Sequence, residues 1–205
     1  VLITDRDPGA LTSAVATVIR LGDDYERRLA AASPTAYAAL EESDIAGLFY
    51  TGGTTGRSKW VMLTHRNLIA NTLHGQIMMP LDETDTYLVI APMFHAAGST
   101  SVLQCVSLGV PQVIVSAFDP GVCLDLIEAE GCTMTLAVPT MLAALIEAQL
   151  ASPRDTSSVK MIAHGASPIA MELVKRASEL FPSAELVHLY GATETAPLLT
   201  GLRNE

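Results

Sequence analysis

From residue 86 to residue 189 the sequence alternates short β-branched and aromatic runs with helical stretches, and this rhythm restricts the fold more than any other feature. Residues 87–91, 112–116, 133–138, 159–163 and 185–189 read as strands, and residues 96–108 and 140–150 as helices. Asp119-Pro120 opens another helix that ends before Gly131, with the acid as cap and the proline at the first helical position. Ser167-Pro168 opens a fourth that runs to Leu180 and stops at Pro182. Strands joined through helices pair in parallel and need helices over both faces. The expected fold is therefore α/β, a mainly parallel sheet flanked by helices. Ligands of such sheets bind beyond the carboxyl ends of the strands. There the sequence puts Pro92-Met93-Phe94-His95, His164-Gly165-Ala166-Ser167-Pro168 and Tyr190-Gly191-Ala192-Thr193-Glu194.

Ahead of this region lies Tyr50-Thr51-Gly52-Gly53-Thr54-Thr55-Gly56-Arg57-Ser58-Lys59. Glycines let backbone N–H groups turn toward an anion, threonine hydroxyls add donors, and Lys59 adds a mobile positive charge. Together they make a phosphate grip. Leu48-Phe49-Tyr50 and Trp60-Val61-Met62-Leu63 both read as strands, so the grip is a strand–loop–strand hairpin. A Walker loop would need Gly before the lysine and a helix after it; here Trp60 follows Lys59. The residues alone also fit a glycine hairpin that holds no ligand. Thr64 caps a helix to about residue 78, with Leu68, Ile69, Leu73 and Ile77 on or near one face. Residues 1–42 form an irregular, partly helical segment, with a strand at 1–4 and helices at 10–20 and 24–32. Residues 43–205 form the α/β unit.

At the sheet edge, Tyr190 offers a flat face to a purine, Gly191 permits close approach, Thr193 offers a donor to a phosphate, and Glu194 offers a carboxylate to Mg²⁺. An ordinary strand-to-loop turn is the plain alternative. Gly165, Ala166 and Ser167 precede a helix, where free amides bind polar groups; capping by Ser167 explains them equally well. His95 can donate from a neutral imidazole to a carboxylate, or sit half-buried as a structural histidine. His65, His74 and His188 read as structural, the methionines as core filler, and Asp82-Glu83-Thr84-Asp85 as a solvated turn. No Gly-x-Ser-x-Gly elbow and no zinc-type His or Cys pair is present.

The formal charge is −10, from 22 acidic and 12 basic residues, which opposes a nucleic-acid partner and requires any anion site to be built locally. Half the residues are hydrophobic (49%), enough for a sizeable core, yet no apolar run spans a bilayer. Cys105, Cys123 and Cys132 lack regular spacing and read as buried reduced thiols of a cytoplasmic protein. The chain opens at Val1 and ends eleven residues after Glu194, which reads as a fragment of a longer protein.

The hairpin resembles the phosphate-binding signature of adenylate-forming enzymes, departing from its usual form at Gly53, Ser58 and Trp60. Leu63-Thr64-His65-Arg66-Asn67 is similar to the acyl-CoA synthetase continuation. Tyr190-Gly191-Ala192-Thr193-Glu194 matches the second motif of this family without departure. Pro92-Met93-Phe94-His95 and His164-Gly165-Ala166-Ser167-Pro168 resemble two further segments. The resemblance covers roughly residues 43–200 and implies part of the large N-terminal domain. It implies that Thr51, Gly52, Gly53, Thr54, Thr55, Gly56 and Lys59 hold ATP phosphates. Gly165, Ala166 and Ser167 would lie along adenosine, Tyr190 would stack on adenine beside Gly191, Thr193 would touch the α-phosphate, and Glu194 would bind Mg²⁺. His95 would line the carboxylate site, with Lys59, Thr193, Glu194 and His95 forming the catalytic set. The implied activity is ATP-dependent conversion of a carboxylic acid, a fatty acid for a chain this apolar, to an acyl-adenylate and then a CoA thioester. Relatives carry a ribose-binding aspartate, a hinge and a small C-terminal domain with a catalytic lysine after the second motif, so this chain is expected to be inactive alone. Two alternatives are a non-catalytic nucleotide-binding module and an adenylation domain that loads a carrier protein.

Overall fold

A computed structural model of the chain describes residues 1–36, 38–51 and 59–203. They form two compact units, Val1–Leu40 and Glu41–Glu205. In the first, β1 (Leu2–Thr4) pairs in parallel with β2 (Val18–Arg20), and α1 (Asp23–Ala31) follows. Asp23, Asp24 and Glu26 occupy the first turn of α1, where the helix dipole favours negative charge. The helix expected over residues 10–20 does not form. A single 3-10 turn, Gly9–Ser13, stands in its place, with the Thr12 and Ser13 hydroxyls each donating to a carbonyl three residues back at 2.9 Å. Such side-chain bonds compete with a continuing helix, and β-branched Val18 and Ile19 satisfy their backbone against β1 instead.

The second unit begins with the expected hairpin. β3 (Ile45–Thr51) and β4 (Lys59–Thr64) are antiparallel, with Thr51 opposite Lys59. Trp60 does not interrupt β4. It faces Tyr50 across the ladder with ring centroids 3.7 Å apart, a cross-strand aromatic pair of the kind that contributes about 0.5–1.5 kcal/mol. α2 (His65–Met78) starts on a capping box. The Asn67 amide donates to Thr64 Oγ1 at 3.2 Å, and the Thr64 amide donates to Asn67 Oδ1 at 3.0 Å. The face α2 buries is not the one its apolar residues suggest. Ile69, Leu73 and Ile77 are 60%, 61% and 72% exposed, while Asn71 and Gly75 are buried. The helix lies against α3 (Ala96–Leu108) through small and amide side chains: Gln104 Nε2 donates to Gln76 Oε1 at 3.1 Å and to the Met79 carbonyl at 2.9 Å.

The remaining elements are β5 (Tyr87–Val89), β6 (Gln112–Ile114), α4 (Pro120–Glu130), β7 (Met134–Ala137), α5 (Pro139–Ala151), β8 (Met161–Gly165), α6 (Met171–Leu180), β9 (Glu185–Gly191) and β10 (Leu198–Arg203). They build a six-stranded sheet in the order β10-β9-β8-β7-β5-β6, parallel except for β10. Asp119 caps α4 by accepting from the Val122 amide at 3.0 Å, with Pro120 at the first position and Gly131 in the left-handed conformation at the end, as read from sequence. Ser167 does not cap α6. Ala166 turns the chain with φ of 67°, residues 167–170 run on without helix, and α6 starts beyond Ala170. β10 was not expected, because Leu-Leu-Thr-Gly-Leu-Arg has no clear alternation.

Two apolar clusters cover the two faces of the sheet. One joins Cys123, Leu124 and Ile127 of α4, Leu142, Leu145 and Ile146 of α5 and Ala177 and Phe181 near α6 to Leu88, Ile162 and Leu186. The other joins Met79 and Cys105 to Tyr87, Val89, Met134, Ala163 and Val187. The chain leaves β5 for β6 on one side and returns to β7 on the other, so β5 is the topological switch point. Burial pushes the Cys105 thiol up to about 12 and Cys132 to about 11, so neither is a thiolate near neutrality. Among the described residues no helix is long and apolar enough to cross a membrane.

Asp85 departs from the solvated turn expected of it. Its side chain is 5% exposed and accepts from Lys160 Nζ at 2.9 Å, Thr133 Oγ1 at 2.8 Å and the Asp82 amide at 2.9 Å. Burial raises its pKa, but the Lys160 ammonium and the two other donors outweigh it and hold the carboxyl below the usual range. A lowered folded value adds stability that is complete above the unfolded value of about 3.9 and is lost as pH falls through the folded one. Asp85→Ala should cost about 1–3 kcal/mol at neutral pH, because two buried donors lose their acceptor. Lys160→Met should also destabilise at neutral pH, because it leaves the buried Asp85 carboxylate without its counter-charge. Urea unfolding at pH 7 and pH 3 measures both, and the Asp85→Ala deficit should shrink at pH 3.

Candidate active site

The parallel strands deliver the three sequence motifs to one edge. Ala91-Pro92 and His95 follow β5, Gly165-Ala166 end β8, and Tyr190-Gly191-Ala192-Thr193 end β9. All of these residues line one cavity of about 340 Å³, beside the switch strand. α2 adds Asn71, Thr72 and Gly75, α3 adds Thr100, Ser101 and Gln104, and β7 and its end add Leu136 and Val138. Neither Lys59, Glu194 nor Ser167 lines it. Lys59 begins β4, and both strands of the hairpin bring Cα atoms within 8 Å of the 3-10 turn Thr193–Thr195 that carries Glu194. The strands of the hairpin and the turn that carries Glu194 are thus neighbours. Gly52, Gly53, Thr54, Thr55 and Gly56 lie outside the described residues; Thr51 ends β3 opposite Lys59.

The helix-borne polar side chains of the cavity wall are engaged internally. Ser101 Oγ donates to the Ala97 carbonyl and accepts from Tyr87 Oη, both at 3.0 Å. Thr100 and Thr72 donate to helix carbonyls four residues back. Both Gln104 amide hydrogens are committed, as described above. The wall therefore presents mostly apolar surface. His95 caps the start of α3 with its backbone and is exposed at the rim, its ring centroid 5.1 Å from that of the exposed Phe94. Tyr190 leaves its ring exposed on the same edge.

Gly191 also has a use in the fold itself. The position a Cβ would occupy is taken by the Pro197 carbonyl oxygen, so the glycine lets the chain pack on itself. Gly165 likewise abuts the Leu189 carbonyl of the neighbouring strand. Among the described residues only Ala166 and Ala196 are non-glycine residues at positive φ, 67° and 69°; Ala166 lies within the motif after β8 and Ala196 two residues beyond the motif after β9. Backbone strain gathers at sites whose geometry is fixed by their surroundings. Glu194 is exposed, and among the described residues no three His, Cys, Asp or Glu side chains come together for a metal. A single carboxylate fits Mg²⁺ carried in on phosphate, since that ion keeps water and phosphate oxygens and takes one or two carboxylates.

The AMP-binding enzyme family matches residues 2–205. The chain belongs to this family. Its AMP-binding relatives include 4-coumarate–CoA ligase-like 5 of Oryza sativa subsp. japonica, 37% identical over 194 residues, 86% of this chain and 36% of the relative. A long-chain-fatty-acid–CoA ligase of Archaeoglobus fulgidus shares the fold at a TM-score of 0.84 with 30% identity, over 93% of this chain and 41% of that one. The o-succinylbenzoate CoA synthetase of Bacillus subtilis, solved in complex with ATP and magnesium ion, matches at a TM-score of 0.83 with 25% identity, over 98% of this chain and 41% of that one. The chain thus spans about a third of the length of the curated relative. Within the AMP-binding fold, sequence reasoning missed the whole contribution of α2. The signal it passed over was Asn71 and Gly75, one helical turn apart on the face opposite Ile69, Leu73 and Ile77.

His164, one residue before Gly165, lies on the opposite face of β8 and is 3% exposed. Its Nδ1 has no hydrogen-bond partner, and its ring meets that of His188 edge-on, centroids 4.9 Å apart, in register across β8 and β9. Burial, and then the nearby His188, push it down from 6.5 to about 4. Between these values the unfolded chain binds the extra proton, so stability falls as pH drops from about 6.5 to about 4. Unfolding free energy should decline by about 1–3 kcal/mol across this window, and His164→Asn should flatten the decline. Denaturant melts from pH 7 to pH 4 test it.

Proposed function

We propose that this chain is the ATP-grasping part of an acid–CoA ligase. In that reading the parent enzyme activates an apolar carboxylic acid as its acyl-adenylate and passes the acyl group to CoA. The observation that carries it is the meeting of the Lys59 hairpin with the Thr193–Glu194 turn beside a largely apolar cavity. A carboxylate oxygen attacks the α-phosphorus of ATP, the bond to the β-phosphate oxygen breaks, and pyrophosphate leaves. The CoA sulfur then attacks the acyl carbon, the bond to AMP breaks, and the thiol proton passes to solvent. The chemistry needs phosphate charge neutralised and nucleophile and phosphorus aligned. Lys59 and the threonine-rich loop bind the departing phosphates. Thr193 donates to the α-phosphate, Tyr190 stacks on adenine beside Gly165-Ala166-Ser167, and His95 orients the acid at the cavity rim. Glu194 would hold Mg²⁺, which supplies charge neutralisation on the phosphates.

The acid is a fatty acid in the first reading, supported by a cavity whose wall is mostly apolar and by the archaeal ligase named above. An aryl acid is the second reading, favoured by the 37% identity to the rice 4-coumarate–CoA ligase-like protein. CoA rather than a carrier protein as acceptor is supported by the same relatives. Buried thiols with raised pKa values support a reduced, cytoplasmic setting. Titration calorimetry of ATP·Mg²⁺ into the chain, and into Lys59→Ala and Glu194→Ala, should show affinity weakened about tenfold or more in each variant, the loss of one charged contact to phosphate. Equal affinity in all three proteins sinks the site assignment. The isolated chain should release pyrophosphate far more slowly than a full-length relative given ATP and acid; a matching rate would refute the view that it is incomplete.

A further inference from the structure

Asn71 sits on α2, two helical turns after the Thr64 cap, and is 5% exposed. Its amide is fully used on one segment of chain more than a hundred residues away. Nδ2 donates to the Leu198 carbonyl at 2.7 Å and to the Thr195 carbonyl at 3.2 Å, and Oδ1 accepts from the Leu198 amide at 3.2 Å. Between the two clamped residues lies Ala196, at φ of 69°. A left-handed alanine is disfavoured and persists only where the surroundings hold it. Thr195 tightens the same turn. Its Oγ1 accepts from the Ala192 amide at 3.0 Å and donates to the Pro197 carbonyl at 2.6 Å. The bonded stretch begins at the residue after Glu194.

We propose that Asn71 is a positioning residue. It latches the turn carrying Thr193 and Glu194 to α2, and so to the strand that starts at Lys59. This rests on the reading that Thr193 and Glu194 meet phosphate and Mg²⁺. The latch runs through rigid parts: β4 enters α2 through the capping box at Thr64, and α2 carries the amide to the turn. Gly165 is held by the β8–β9 ladder, and Tyr190 pairs with Thr200 in the β9–β10 ladder, which continues beyond the latch to Arg203. The latch therefore acts first on the phosphate end of the nucleotide, and the adenosine end keeps the rest of the β9–β10 ladder.

The test uses the 205-residue chain, with ATP·Mg²⁺, ATP in EDTA, and adenosine as probes in titration calorimetry. Asn71→Asp keeps the side-chain shape and the acceptor for Leu198 but replaces two donors with a charge facing carbonyl oxygens. Asn71→Ser retains one donor. In the unmodified chain Mg²⁺ should tighten ATP binding, and Glu194→Gln should remove that gain. Asn71→Asp should lose most of the gain, about tenfold, while adenosine affinity stays within twofold; Asn71→Ser should fall between. A role confined to general stability would lower all three affinities together, and that result overturns the latch. So does an Asn71→Asp variant that keeps the full gain while Glu194→Gln loses it. If Mg²⁺ gives the unmodified chain no gain, the reading of Glu194 falls first and the latch with it. Hydrogen exchange on the unmodified chain needs no variant: ATP·Mg²⁺ should slow exchange of the Leu198 amide by reciprocity, and unchanged exchange in the nucleotide-bound chain overturns the proposal.

Discussion

Parallel pairing from β5 to β9 is the constraint on which the rest of the second unit depends. Each strand must be re-entered from the same end, so every strand-to-helix turn opens on one edge. Reversing direction at β5 then parts the helices around that edge, with α2 and α3 on one face and α4, α5 and α6 on the other. The cavity occupies the gap on the α2–α3 side. At the far end of the strands Asp85 and Lys160 are bonded to each other and to Thr133, joining the segments that enter β5, β7 and β8. The two ends of the sheet thus divide the work: one is pinned by a hydrogen-bonded charge pair, the other is open and carries the strained turns.

The alternation of strands and helices was legible because each element in the parallel region carries its own signal. Asp119-Pro120 and Gly131 bracket α4 by capping chemistry alone, and Thr64 with Asn67 starts α2 in the same way. The hairpin was legible from its aromatic flanks, and Trp60 proved compatible with β4 because it found Tyr50 opposite. Where local signals and tertiary demands disagree, the reading failed. Residues 10–20 have apolar spacing suited to a helix, but hydroxyl-to-carbonyl bonds and pairing with β1 prevailed. Ser167-Pro168 look like a helix start, yet Ala166 bends the chain first.

The candidate site divides along the same line. Motif residues were visible because glycine, threonine, tyrosine and glutamate in short order are chemically conspicuous. Their supports were not. Nothing local marks Asn71 as a partner of Leu198, 127 positions away, or Gly191 as the seat of the Pro197 carbonyl. Helix periodicity was misleading on α2, because its apolar stripe is the exposed one and the buried stripe is made of asparagine, glycine and glutamine. Polar residues that satisfy backbone groups at a distance leave no periodic trace.

Alanine rather than glycine at positions 166 and 196 has a thermodynamic corollary. Glycine would relieve the folded chain of its left-handed penalty, but it would also enlarge the set of denatured conformers that folding must give up. Alanine shifts the burden the other way, narrowing the denatured ensemble while loading the native turn. Its methyl group also closes the mirror-image basins into which glycine would wander. The bends at 166 and 196 therefore have few alternative shapes at hand once their neighbours are in place.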